Sequence, residues 1–160
     1  MNAEPQAEHQ WLQQLVGAWT MEGQYSMGPD QPPMKSSGEE TVRTLGGLWT
    51  VAEGRGPMPD GGSMTSVITL GYDPQKKKFV GTFVASVMTY LWVYEGTLDG
   101  ARKVLTLEVD GPSMAGDGTM TKYHDIIEFH SPDHRTLSSQ TRGADGSWHK
   151  FMEMHYHRKK

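Results

Sequence analysis

The sequence predicts an all-β fold: an antiparallel up-and-down barrel of about ten strands, with one short helix at the N-terminus. Three observations carry this expectation. Nineteen glycines and nine prolines in 160 residues punctuate the chain with turns at a density that suits many short strands. The segments between these turns recur at roughly 8–12 residues and are rich in aromatic and β-branched side chains, which is strand behaviour. No strand–helix–strand alternation occurs that would build a parallel sheet.

The helix comes first. Trp11, Leu12, Leu15 and Val16 recur at three-to-four spacing before Gly17 stops them, which predicts about two turns. Residues 18–27 are then extended, and the Gly-Pro-Asp-Gln-Pro-Pro segment over 28–33 is a loop, since Pro fits neither a helix interior nor a central strand. Strands over 37–45 and 47–54 meet at Gly46-Gly47, a pair suited to the positive φ of a tight hairpin. A second wide loop, 57–62, precedes strands over 64–72 and 78–86 joined by Asp73-Pro74.

Tyr90 to Leu98 reads as the strongest strand, and Asp99-Gly100 turns it into 103–109. A glycine-rich stretch separates this from strands over 120–130, 136–142 and 148–157. A meander of this length must hide its edges, and closure into a barrel does so with the helix as a lid at one mouth. A two-sheet sandwich is the alternative.

Length and composition bound the rest. One domain over 8–160 is expected after a flexible stretch, 1–7, because a chain of this size buries roughly 70% of its unfolded surface. The absence of cysteine excludes a disulfide framework, thiolate chemistry and cysteine-ligated metals. With no basic n-region or long apolar run near the start, a cytoplasmic location is expected, with no membrane partner. A net charge of −4 argues against nucleic acid. Eleven methionines suit either an irregular core or an adaptable apolar cavity.

Three strands carry a large ring followed by Glu-Gly: Trp19 with Glu22-Gly23, Trp49 with Glu53-Gly54, and Trp92 with Glu95-Gly96. Glycine in a strand marks the bend a barrel needs. The adjoining glutamate either projects into the lumen or faces solvent. Six of the seven histidines fall between 124 and 157. Glu153, His155 and His157 alternate on one face of the last strand, a pattern able to hold a metal only if a third ligand is supplied. Trp148, Lys150, Met152, Met154 and Tyr156 form the opposite, more apolar face and are the expected inner wall. Neighbours such as Glu39-Glu40 point to opposite faces and cannot serve as an acid–base pair. No nucleophile elbow, zinc-protease helix or phosphate-binding glycine loop is present.

Taken together, Leu15-x-Gly-x-Trp19, Met27-Gly-Pro-x-x-Pro-Pro33, Val42-Arg-x-Leu-Gly-Gly-Leu-Trp49, Thr69-Leu-Gly-Tyr-Asp-Pro74, Phe79-Val-Gly-Thr82, Leu91-Trp-Val-Tyr-Glu-Gly96, Asp133-His-Arg-Thr-Leu137 and Phe151-Met-Glu153 resemble the bacterial domain-of-unknown-function family numbered 1579. The resemblance runs from about Leu15 onward and implies a lipocalin-like, calycin-type barrel. It implies no ligand, reaction or catalytic residue. A more distant likeness is to the nitrobindin barrels, whose last-strand histidine ligates haem; His155 holds the nearest position. The glycine-rich signature after their first Trp is here Thr-Met-Glu-Gly-Gln-Tyr.

The function expected from these readings is binding of a small, mostly apolar ligand in the lumen, since barrels of this size enclose one. The expected contacts are Trp49, Trp92, Tyr94, Tyr123 and Met152, with Glu53, Glu95 or Glu128 fixing a polar end. The alternatives are an enzyme using a lumen carboxylate as acid or base beside a His or Tyr, and a haem-binding barrel through His155. No catalytic residue, and no oligomeric state, is assigned by the sequence.

Overall fold

The helix stops at Gln13, short of the expected Gly17, and Gly17 instead opens the first strand at a φ of 137°, a backbone setting that favours glycine. A side chain there would also meet Arg158, whose Nη1 lies 2.6 Å from the Cβ position. From this point the chain runs as strands. The computed structural model describes residues 2–28 and 30–160; Met1, in the expected flexible stretch, and Pro29, in the expected loop, lie outside the described residues. The elements are α1 (Ala7–Gln13), β1 (Gly17–Tyr25), β2 (Met34–Leu45), β3 (Trp49–Pro57), β4 (Ser63–Asp73), β5 (Lys78–Ala85), β6 (Trp92–Leu98), β7 (Val104–Pro112), β8 (Met120–Ser131), β9 (His134–Arg142) and β10 (Trp148–Arg158).

Every strand pairs antiparallel with its sequence neighbours, and β1 pairs with β10 to close the barrel. Closure leaves no edge. Gly46 and Gly47, at φ 67° and 75°, make the β2–β3 hairpin as expected. Most strand boundaries move by one to three residues from the sequence reading, and two of these shifts have a visible cause. Strand β2 starts at Met34 because Met34, Lys35 and Ser36 extend the ladder opposite Tyr25, Gln24 and Gly23. Strand β6 starts at Trp92, Tyr90 instead donating its hydroxyl to the Asp110 carbonyl at 2.9 Å.

The two ends of the barrel are built differently. At one end α1 and the turn after it lie across the opening, burying Trp11, Leu12 and Leu15 with Val42, Leu70, Phe79, Leu105 and Phe129. Each large apolar side chain so removed from water contributes roughly 1.5–3 kcal/mol. Polar contacts fix the cork: Trp11 Nε1 donates to the Arg102 carbonyl at 2.7 Å, and the His9 ring packs edge-on against Tyr72 at 5.7 Å. Arg158 ties the helix end to the wall, donating to the Val16 and Gln14 carbonyls at 2.8 Å each. The guanidinium also stacks on Trp19, 4.2 Å from its ring centre.

The last strand departs from simple alternation. The β9–β10 register shifts between Lys150 and Met152, a bulge at Phe151 that reverses which face each side chain takes. Met152, Met154 and Tyr156 face inward as expected. Trp148 and Lys150 do not: Trp148 stacks on the His124 ring at 3.9 Å, and Lys150 pairs with Glu153 at 2.9 Å, both outside.

Candidate lumen site

Beneath the cork the interior is full. Glu40 from β2 and Arg135 from β9 form an ion pair with side chains 6% and 4% exposed. The Arg135 guanidinium lies over the Tyr156 ring at 4.0 Å and the Trp19 ring at 4.5 Å. Glu39, its neighbour in sequence, points outward to Lys159 at 2.8 Å, the opposed placement expected of the adjacent pair. A void of only about 20 Å³ remains around this layer, so it forms a floor.

Above the floor the lumen opens into a cavity of about 640 Å³, within the roughly 300–1,000 Å³ span of small-ligand sites. Its wall is a ladder of edge-to-face rings. Trp92 meets Tyr90 and Tyr123, both at 5.1 Å, and Tyr123 meets Phe151 at 6.0 Å. Ile68, Phe83 and Leu137 line the facing side, while Met27, Met88 and Met114 stand at the mouth. Trp92 fits because position 111 is glycine: a Cβ there would lie 1.9 Å from the indole Cζ3. The indole N–H of Trp92 is buried without an acceptor.

One polar cluster interrupts this wall. Ser139 on β9 donates its hydroxyl to Asp125 Oδ1 at 2.6 Å, and Tyr94 on β6 donates to Oδ2. Burial pushes the Asp125 carboxyl above the usual carboxylate range, against the opposing pull of the Ser139 and Tyr94 hydroxyls and of nearby His124. Burial first, and then the Asp125 carboxylate, pushes the Tyr94 hydroxyl well above its ordinary value. Among the described residues lining the cavity there is no Lys, Arg or His.

Four of the expected ligand contacts come together here: Trp92, Tyr94, Tyr123 and Met152. The others lie elsewhere. Thr50 and Leu70 point inward, so Trp49 lies outside, its ring on Gly71. Glu53 is exposed. Glu95 faces solvent with Lys76 at 3.5 Å, and Glu128 faces outward beside His130 at 4.0 Å. The cause is common to Glu22, Glu53 and Glu95: the adjoining glycine takes the crowded inner position. A Cβ on Gly23 would lie 2.0 Å from the Glu153 carbonyl oxygen, and one on Gly96 would lie 2.8 Å from Leu107 Cδ2. Alternation then sends the glutamate out.

His155 also points out, since its neighbours Met154 and Tyr156 are buried, so it cannot reach a haem held in the lumen. Its Nδ1 lies 2.9 Å from His134 Nε2, with the His157 and His130 rings 4.7 and 4.9 Å from that of His134. No trio of His, Asp or Glu among the described residues has metal-binding geometry. An outer groove of about 720 Å³ runs beside Glu22, Met58 and His155, shallow and away from the buried titratable groups.

The polar residues that matter, Asp125 and Ser139, were not singled out by sequence. The signal was present in β8, where Tyr123, Asp125, Ile127 and Phe129 alternate: a carboxylate set on an otherwise apolar face.

The profile of a family described as "Protein of unknown function (DUF1579)" matches residues 4–158. No curated protein matches the chain. Among solved structures, Rv2717c from M. tuberculosis is similar at 16% identity and a TM-score of 0.62, covering 98% of this chain and 100% of that one. The S-type phycobiliprotein lyase CPES from Guillardia theta is similar at 11% identity and a TM-score of 0.61, covering 97% and 94%. A barrel described as EF1p2_mFAP2b bound to DFHBI is similar at 14% identity and a TM-score of 0.50, covering 94% and 98%. At these identities the likeness is one of fold. No helix among the described residues is long and apolar enough to cross a membrane.

Proposed function

This chain belongs to that family of unknown function, and from its lumen we propose a binding protein that holds one small, mostly apolar molecule in the open end of the barrel. The observation that carries the reading is the cavity of about 640 Å³, whose aromatic and aliphatic wall surrounds a single polar cluster. Such a wall favours an apolar body, and the cluster orients it. The similar barrel that holds DFHBI supports the use of this fold for small molecules. The absence of cysteine suits a reducing cytoplasm.

A thermal-shift screen of fatty acids, retinoids, flavins and haem tests the proposal, paired with Leu137→Trp to fill the cavity. A ligand that raises the melting temperature of the native protein and not of the filled variant supports it. Equal shifts in both proteins, or none in either, overturn it.

One observation favours a catalytic reading of the same lumen: Asp125 is a buried carboxylate in hydrogen-bond contact with a second titratable group, Tyr94, as acid–base catalysis requires. Both Asp125 oxygens are already engaged by the protein's own donors, which suits recognition better than proton transfer. Turnover of a bound ligand, lost in Asp125→Asn with binding kept, would reverse that order.

A further inference from the structure

Among the described residues, the interior of this barrel holds one more carboxyl group than cation, and the unmatched one lies where its ligand would sit. The interior contains two carboxylates, Asp125 and Glu40, and one guanidinium, Arg135. The guanidinium is consumed in the floor, paired with Glu40 and stacked on Tyr156 and Trp19. Asp125 alone borders the cavity, with no cation among the described lining residues. It accepts one hydrogen bond at each oxygen. An ionised carboxylate offers about four lone-pair sites, so two remain for a partner.

A ligand ending in a carboxylate or phosphate would bring a second anion against Asp125 in a water-poor pocket, which is strongly unfavourable without a cation between them. A donor would instead fill the free acceptor sites, and a charged donor would gain most. We infer that the occupant of the lumen is an apolar molecule with a hydrogen-bond-donating head, above all an amine, seated on the Tyr94–Asp125–Ser139 cluster, and that acidic lipids are rejected.

This inference rests on the lumen being the binding site, and a matched series separates the two. Titrating the protein with 4-phenylbutylamine, 4-phenylbutanol and 4-phenylbutyrate, following Trp fluorescence and heat, reads the head group on a constant body. The amine is expected to bind most tightly and the acid at least about tenfold more weakly than the amine, the scale of one charge-assisted contact. In Asp125→Asn, a near-isosteric change, the preference for the amine should collapse to within roughly threefold, in line with loss of that contact. Glu95→Gln, which removes a carboxylate on the outer face, should keep it.

Tighter binding of the acid than of the amine, or an amine preference undiminished in Asp125→Asn, overturns the inference and leaves the lumen reading standing. If Asp125→Asn does not fold, the native series alone decides through the acid–amine order. Failure of all three compounds to bind removes the lumen reading and this inference with it.

Discussion

The six-membered ring of Trp92 occupies the space that a side chain on Gly111 would take, with 1.9 Å between Cζ3 and the Cβ position. The cavity wall therefore depends on a missing methyl group. Gly111→Ala is expected to drive the indole from its slot toward the lumen. Overpacking of this kind costs about 1–3 kcal/mol. The lowered urea midpoint should be accompanied by a shift in Trp emission and weaker binding of any lumen ligand, and an unshifted emission would contradict the displacement.

The floor predicts its own asymmetry. Removing one partner of the Glu40–Arg135 pair strands the other charge among Trp19, Tyr156 and Leu15. Glu40→Leu or Arg135→Met alone should lose about 3–5 kcal/mol of stability, whereas the double variant should recover much of the loss. Chemical denaturation of all three proteins checks the order. Equal losses in the single and double variants would show that packing, and not charge, dominates the layer.

Asp125 makes stability depend on pH in a defined direction. Its folded carboxyl titrates above the unfolded value of 3.8 because burial disfavours the ionised form. The contribution is fully favourable below that value and is lost as pH rises through the folded one. Asp125→Asn should therefore raise stability at neutral pH, on the order of 1 kcal/mol, with a smaller gain near pH 3.5. Urea midpoints at the two pH values measure the difference, and a gain greater in acid would refute the assignment.

The outer histidine cluster acts in the opposite direction. Burial, then His157, His130 and His155, hold the His134 imidazole below its ordinary value of 6.5. Protonation is easier in the unfolded chain, so stability is intact above pH 6.5 and falls as pH drops through the folded value. Melting temperature should decline over that acid range, and His134→Asn should flatten the decline. Identical profiles for the two proteins would remove the cluster as the cause.

Ten strands, the corking helix and the Gly46-Gly47 hairpin were legible because each is written locally, in alternation and in turn residues. Trp92, Tyr94, Tyr123 and Met152 were legible for the same reason: large side chains on apolar faces line a lumen. The misplaced residues share a different origin. Glu53 and Glu95 sit next to glycines whose crowding is a property of the neighbouring strand, as at Gly96 under Leu107, and crowding across strands is invisible in one strand's sequence. Trp148 and Lys150 were reversed by a bulge at Phe151, a register step that no local pattern announces. Asp125 was overlooked because a lone carboxylate on a strand is ordinarily a solvated one; only its pairing with Ser139 and Tyr94, from two other strands, gives it meaning.

Arg158 stands opposite Trp19 in the β1–β10 ladder, 139 positions later in the chain, while its guanidinium reaches back to Gln14 and Val16. The contacts that close the wall and seat the cork thus join nearly the whole length of the described polypeptide. Such distant pairings form slowly, because the entropy of a very large loop is lost before the contact rewards it. Closure therefore carries the largest loop entropy of any strand pairing in the fold, and the lumen exists as an enclosed space only once β1 and β10 have met.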